Sequence, residues 1–262
     1  MSFYVRLIAF AAALLGVSFG AARAESQNLA GFGVVLIHGK GGTPGLMMGG
    51  LGDALKAAGA IVVTPEMPWS FNRIYDATYD EAMLEIDRAV DELKRRGATK
   101  IVIGGHSMGA NASIGYAARR EGIAAVVALA PGHPQDTWYM RLRTKRALEQ
   151  AKELIAAGQG DVRMSWPDMA QGIPFSVHAT PNVYVSMFDP EGPATMSKNA
   201  AAMGDTPLLW VAGLADPIVF SGRDYAFNMA KNPKSKYLVL PATHMTTPFQ
   251  ARNSVVDWLK SL

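Results

Sequence analysis

The chain has 262 residues, no cysteine and a formal net charge of +3. The missing thiols exclude disulfide staples, cysteine nucleophiles and cysteine metal sites, and so small a charge leaves no basic footprint for nucleic acid. With 49% hydrophobic residues, the length suffices for one domain with a sizeable core.

The first predicted element is a leader. Arg6 opens it, Leu7 to Phe19 is an apolar run, and Ala22-Arg23-Ala24 forms a small-x-small cleavage site. This pattern predicts a secretory signal peptide over residues 1–24, too short for a comfortable membrane span. Its removal takes away Arg6 and Arg23 and no acid, so the mature charge falls to +1. The expected address is the periplasm or the medium of a bacterium. The expected mature domain is residues 25–262, with no integral membrane span after cleavage.

Beyond the leader, strand-like runs recur at Gly33–Ile37, Ala60–Val63, Lys100–Ile103, Ala124–Leu129, Pro207–Ala212 and Lys236–Leu240. They are continuous apolar stretches, as parallel strands covered on both faces must be. Helical patterns alternate with them. The clearest spans Ile74 to Arg96, where Tyr79, Met83, Ile86, Val90 and Leu93 recur at four-and-three spacing and Gly97 ends the run. A second lies at Ala112–Arg120, and Phe249–Leu259 closes the chain. Strand alternating with helix predicts an α/β fold with a mostly parallel central sheet flanked by helices.

One stretch, about residues 133–203, interrupts the alternation. It contains a basic amphipathic segment, Met140–Ile155, and is rich in methionine and aromatic residues, among them Met164, Trp166, Phe175, Met187 and Phe188. Such side chains suit either an irregular apolar pocket or a small core of the insert's own. Val183–Phe188 within it reads as a strand-like run.

The most specific signal is Gly105-His106-Ser107-Met108-Gly109, between an apolar strand and a small-residue helix. This is G-x-S-x-G, a strand–turn–helix with serine at a strained apex. Glycines two residues to either side remove Cβ atoms that would clash with the adjoining backbones. A serine hydroxyl is a weak nucleophile at neutral pH and needs a base whose pKa lies near ambient. His244, in Pro241-Ala242-Thr243-His244-Met245, follows a predicted strand and is the late histidine of the chain. Asp216, in Gly213-Leu214-Ala215-Asp216-Pro217, follows another. All three candidates therefore sit at carboxyl ends of strands, where open parallel sheets bind ligands. Rival acids fit less well. Asp205 precedes its strand, Asp189 follows the competing run, and Asp224 lies in a later helix. Upstream, His38-Gly39-Lys40-Gly41-Gly42 follows the first strand and lets backbone approach a ligand closely.

On these motifs, in the chain order Ser, Asp, His, the sequence resembles the α/β-hydrolase superfamily from about residue 30 to the end. The resemblance implies an α/β-hydrolase fold with a lid insertion at about 133–203 and an exported serine esterase or lipase-like activity without a cofactor or metal. Ser107 would be the nucleophile, His244 the general base and then acid, and Asp216 the residue that orients the imidazole. The backbone N–H groups of Met108 and Lys40 would form the oxyanion hole. His38, Trp69 and His133 are further candidates for the pocket, with His38 and His106 read first as structural. The implied partner is a small-molecule acyl substrate. Two other readings stay open: a non-catalytic protein holding an apolar ligand on the same fold, and a peptidase or other reaction on the same triad.

Overall fold

The computed structural model describes residues 29–262; the predicted leader at 1–24 lies outside the described residues. Six strands form one parallel sheet: β1 (Phe32–Ile37), β2 (Ile61–Val63), β3 (Lys100–His106), β4 (Ile123–Leu129), β7 (Leu208–Gly213) and β8 (Lys236–Leu240), in spatial order β2-β1-β3-β4-β7-β8. The alternation of side chains along a strand explains the two layers around it. Val34 and Leu36 of β1 pack with α1 (Gly49–Ala57) and α9 (Arg252–Lys260), through Leu51, Leu55, Val255 and Trp258. Val35 and Ile37 face the other way, toward Tyr79, Met83 and Ile86 of α2 (Tyr79–Arg95). The helix α3 (Met108–Ala117) lies on that second side as well, buried along its whole length.

Several boundaries differ from the sequence expectation for identifiable reasons. The helix predicted from Ile74 begins at Tyr79. Ile74 and Tyr75 have φ of 51° and 54°, outside the helical region, and Thr78 then caps the helix. Thr78 Oγ1 accepts the Glu81 N–H while Glu81 Oε2 accepts the Thr78 N–H, a capping box. The closing helix is broken into α8 (Thr247–Gln250) and α9 at Ala251. Val183–Phe188 is not a strand but lies in α5 (Pro181–Phe188). Thr180 accepts the Val183 N–H and Pro181 occupies the first helical turn, start signals that override the β-propensity of the run.

Between β4 and β7 the chain makes a long excursion above the carboxyl edge of the sheet. It contains α4 (Trp138–Ala156), α5 and an antiparallel hairpin of β5 (Met164–Ala170) and β6 (Ile173–Ala179). Gln171 and Gly172 turn the hairpin with φ of 51° and 80°, the positive angles that a two-residue turn needs to match strand twist. The excursion is shorter than expected at its far end. The helix α6 (Met196–Ala202) packs Met196 and Ala200 against Ala110 and Ile114 of α3, so it belongs to the layer that carries the crossover to β7. Trp166, Tyr184 and Phe188 stack in series and give the excursion an aromatic core continuous with the α2 side.

Candidate active site

The chain leaves β1 toward β2 on one side and β3 toward β4 on the other. The loops after β1 and β3 therefore part at the carboxyl edge and leave a crevice. Ser107 stands in that crevice. Its φ of 56° and ψ of −116° are sparsely populated for a residue with a Cβ. Close packing maintains the strain. A Cβ on Gly109 would lie 2.2 Å from the Ile37 carbonyl oxygen, and one on Gly105 would lie 2.3 Å from the Gly109 carbonyl carbon. The Ser107 carbonyl accepts N–H groups from Ala110, Asn111 and Gly132, at 3.0, 3.2 and 3.1 Å.

Asp216 and His244 meet from neighbouring strand ends. The loop after β7 sets Asp216 at the start of a 3-10 turn, where Oδ1 accepts the Ile218 N–H at 3.2 Å. Oδ2 lies 2.6 Å from His244 Nδ1, and both residues are buried. With Nδ1 committed to the carboxylate, Nε2 is the ring nitrogen left for chemistry. Ser107, Asp216 and His244 line one cavity of about 390 Å³. Among the described residues no hydrogen bond joins the Ser107 hydroxyl to His244.

His106 supports the site from beneath. Its Nε2 donates to the His244 carbonyl at 2.9 Å, and the two rings lie 4.7 Å apart. Burial, reinforced by the neighbouring His244, pulls its pKa down to about 4. Burial also lowers His38, and burial with the Lys40 ammonium lowers His133. These imidazoles are neutral when folded and take up protons on unfolding. Stability is therefore full above the ordinary histidine pKa near 6.5 and is lost as pH falls toward 4, with His106 alone contributing about 3 kcal/mol. Urea midpoints should drop between pH 7 and pH 4.5, and His106→Gln should flatten that drop. An equal drop in the variant would assign it elsewhere.

The other sequence candidates separate. Lys40 lines the cavity, and the N–H groups of Lys40 and Met108 donate to no acceptor among the described residues. His133 also lines it, with Nε2 donating to the Met187 carbonyl at 2.6 Å. His38 and Trp69 do not line it. His38 Nδ1 donates to the Gly39 carbonyl while Nε2 accepts the Met67 N–H, and Trp69 Nε1 donates to the His38 carbonyl. Both are buried and shape the loop after β1 from behind.

Two residues escaped the sequence reading. Asn111, in the first turns of α3, donates its amide to the carbonyls of His133 at 3.2 Å and Ala194 at 2.9 Å. Its own carbonyl accepts the Tyr79 hydroxyl at 2.8 Å. Asp168, on β5, is wholly buried and pairs with Lys40. An asparagine just inside the helix after the elbow is a legible signal; an ion pair between residues 128 apart is not. The cavity's outer wall comes from the excursion: Trp138, Tyr139 and Met140 of α4 and Met169 to Gly172 at the hairpin tip. Among the described residues no helix is long and apolar enough to cross a membrane.

A family model described as "Alpha/beta hydrolase family" matches residues 34–257, most of the chain. The chain belongs to the alpha/beta hydrolase family. Solved structures show the same fold. A monoacylglycerol lipase from Paleococcus ferrophilus is 24% identical with a TM-score of 0.65, over 87% of this chain and 94% of that one. A structure from work on LipS and LipT, metagenome-derived lipolytic enzymes, is 16% identical with a TM-score of 0.62, over 88% and 93%. A thioesterase domain from the curacin biosynthetic pathway is 15% identical with a TM-score of 0.57, over 88% and 91%. No curated protein sequence matches this alpha/beta hydrolase.

Proposed function

We propose that this alpha/beta hydrolase is an exported serine hydrolase that cleaves a carboxylic ester, or a related acyl bond, through an acyl-enzyme. The observation that carries the reading is the 2.6 Å contact between His244 Nδ1 and Asp216 Oδ2, beside a strained serine in one cavity. The carboxylate fixes the Nδ1–H tautomer and stabilises the imidazolium that forms. Substrate entry draws Ser107 Oγ and His244 Nε2 together, as such hydrogen bonds often tighten only once substrate is bound. Ser107 Oγ then attacks the acyl carbon and gives its proton to Nε2. The tetrahedral oxyanion accepts the N–H groups of Met108 and Lys40, aided by the positive end of α3. His244 returns the proton to the leaving alkoxide, and water repeats the sequence to release the acid. Fold neighbours described as a monoacylglycerol lipase and a thioesterase support acyl transfer to water as the reaction class. The excursion then acts as a lid that sets acyl-chain selection, and the leader at 1–24 supports export.

A fluorophosphonate probe tests the nucleophile. The mature protein is expected to label at one site, and Ser107→Ala to remove all labelling. Persistent labelling of the variant would overturn the assignment.

A further inference from the structure

The loop after β1 and the hairpin of the excursion meet through an ionic contact. Lys40 Nζ donates to both oxygens of Asp168, at 2.9 and 2.6 Å. The aspartate is fully buried and the lysine side chain is 11% exposed. Asp168 Oδ1 also accepts the Met169 N–H at 2.6 Å. The ammonium sits 5.3 Å from the Phe188 ring centre and 5.8 Å from that of Phe175. Its charge is thus used within the protein: two hydrogen bonds to one carboxylate and two aromatic faces. This is not a cation held free for an anionic substrate, although Lys40 borders the cavity.

The placement gives the pair a different use. The Lys40 backbone N–H has no acceptor among the described residues and belongs to the residue whose side chain is anchored. Asp168 immediately precedes Met169 to Gly172, which form the outer wall of the cavity. One contact therefore ties the reacting edge of the sheet to the tip of the hairpin. Burying two charges is costly, and a hydrophobic pair of similar size often stabilises a fold as well or better. A buried pair in this place is better explained by fixing geometry than by adding stability. A shift of about 1 Å in a catalytic group can cost about 100-fold in rate.

We infer that Lys40 and Asp168 are a positioning pair, in which the Lys40–Asp168 ion pair holds the Lys40 N–H in line for the oxyanion while closing the hairpin wall over the acyl group. The inference rests on the proposed serine mechanism. It predicts loss specific to the transition state, since the ester's ground state makes little demand on that N–H.

The test replaces both charges at once, so that neither is left buried alone. Lys40→Met with Asp168→Asn keeps the backbone N–H and the side-chain volumes. Its kcat on a short p-nitrophenyl ester is expected to fall about 10- to 100-fold, with KM changed less than threefold. Inhibition by an alkyl boronic acid, which forms a tetrahedral anion on the serine, should weaken in proportion to kcat/KM. Lys40→Arg, which keeps a bidentate donor, should recover most of the loss. Unchanged kcat and boronate affinity in the folded double variant would overturn the inference, as would a rise in KM alone. Phosphonate labelling separates this failure from that of the parent reading. If Ser107 labels in the wild type but the double variant is fully active, only the positioning role falls; if Ser107 never labels, the serine mechanism falls first.

Discussion

His244→Ala is expected to lower kcat on a short activated ester by about 10⁵- to 10⁶-fold, close to removing the whole machinery, because in the proposed mechanism nucleophile and base act as one unit. Asp216→Asn should cost less, about 10⁴-fold. The Asp216 carboxylate is only 2.6 Å from Nδ1, so it accepts a hydrogen bond from Nδ1–H and leaves the Nε2 lone pair facing away from the carboxylate. An asparagine can turn its NH₂ toward Nδ1, which places the ring proton on Nε2 and blocks acceptance from Ser107. Both variants should keep the wild-type circular dichroism spectrum, since the exchanged groups lie at loop ends beyond β7 and β8. Steady-state kinetics at pH 7.5 decides the matter. A loss below tenfold in His244→Ala would transfer the role of base to another group.

Gly109→Ala is the second large effect, and it falls on folding. The new methyl would lie 2.2 Å from the Ile37 carbonyl oxygen and 2.7 Å from that of His38. Both are backbone atoms of a buried strand end, so no flexible side chain can yield. The contact forces α3 away from β1, at a cost of about 4–5 kcal/mol, the exceptional range for a point substitution. That is a large share of the 5–15 kcal/mol typical of a domain. Gly49→Ala, at the start of α1 and with nothing within 4 Å of its new Cβ, should leave the urea midpoint unchanged or raise it slightly. Matching midpoints for the two variants would mean that strand and helix are not held so close.

The sheet and the crevice were legible because they rest on local patterns. Continuous apolar runs such as Gly33–Ile37 mark strands buried on both faces, and the glycine spacing around Ser107 reflects a clash that any L-residue would meet. Asp216 and His244 were placed by their position just past strand ends. The excursion was less legible. The β-branched run Val183–Phe188 resembles a strand until the start signals at Thr180 and Pro181 are given their weight. Thr78 and Glu81 carry a readable capping signature that places the start of α2 later than the apolar period does. Trp69 is a candidate for the pocket by sequence, yet its indole N–H is drawn inward to the His38 carbonyl. The pairing of Lys40 with Asp168 depends on how the hairpin folds back over the sheet, which no local pattern encodes.

The bridging amide of Asn111 has a consequence for how such a protein can change. The two stems of the excursion, at His133 and Ala194, are both bonded by one side chain rooted in α3. Some sixty residues thus begin and end at one clasp, while the strands and their register lie below it. Between the stems the fixed points are those that touch the sheet side, Asp168 against Lys40 and the aromatic stack against α2, and the exposed remainder can change in length and composition with little strain passed to the strands. New substrate preferences would then arise by changing the exposed parts of that segment rather than by rebuilding the sheet.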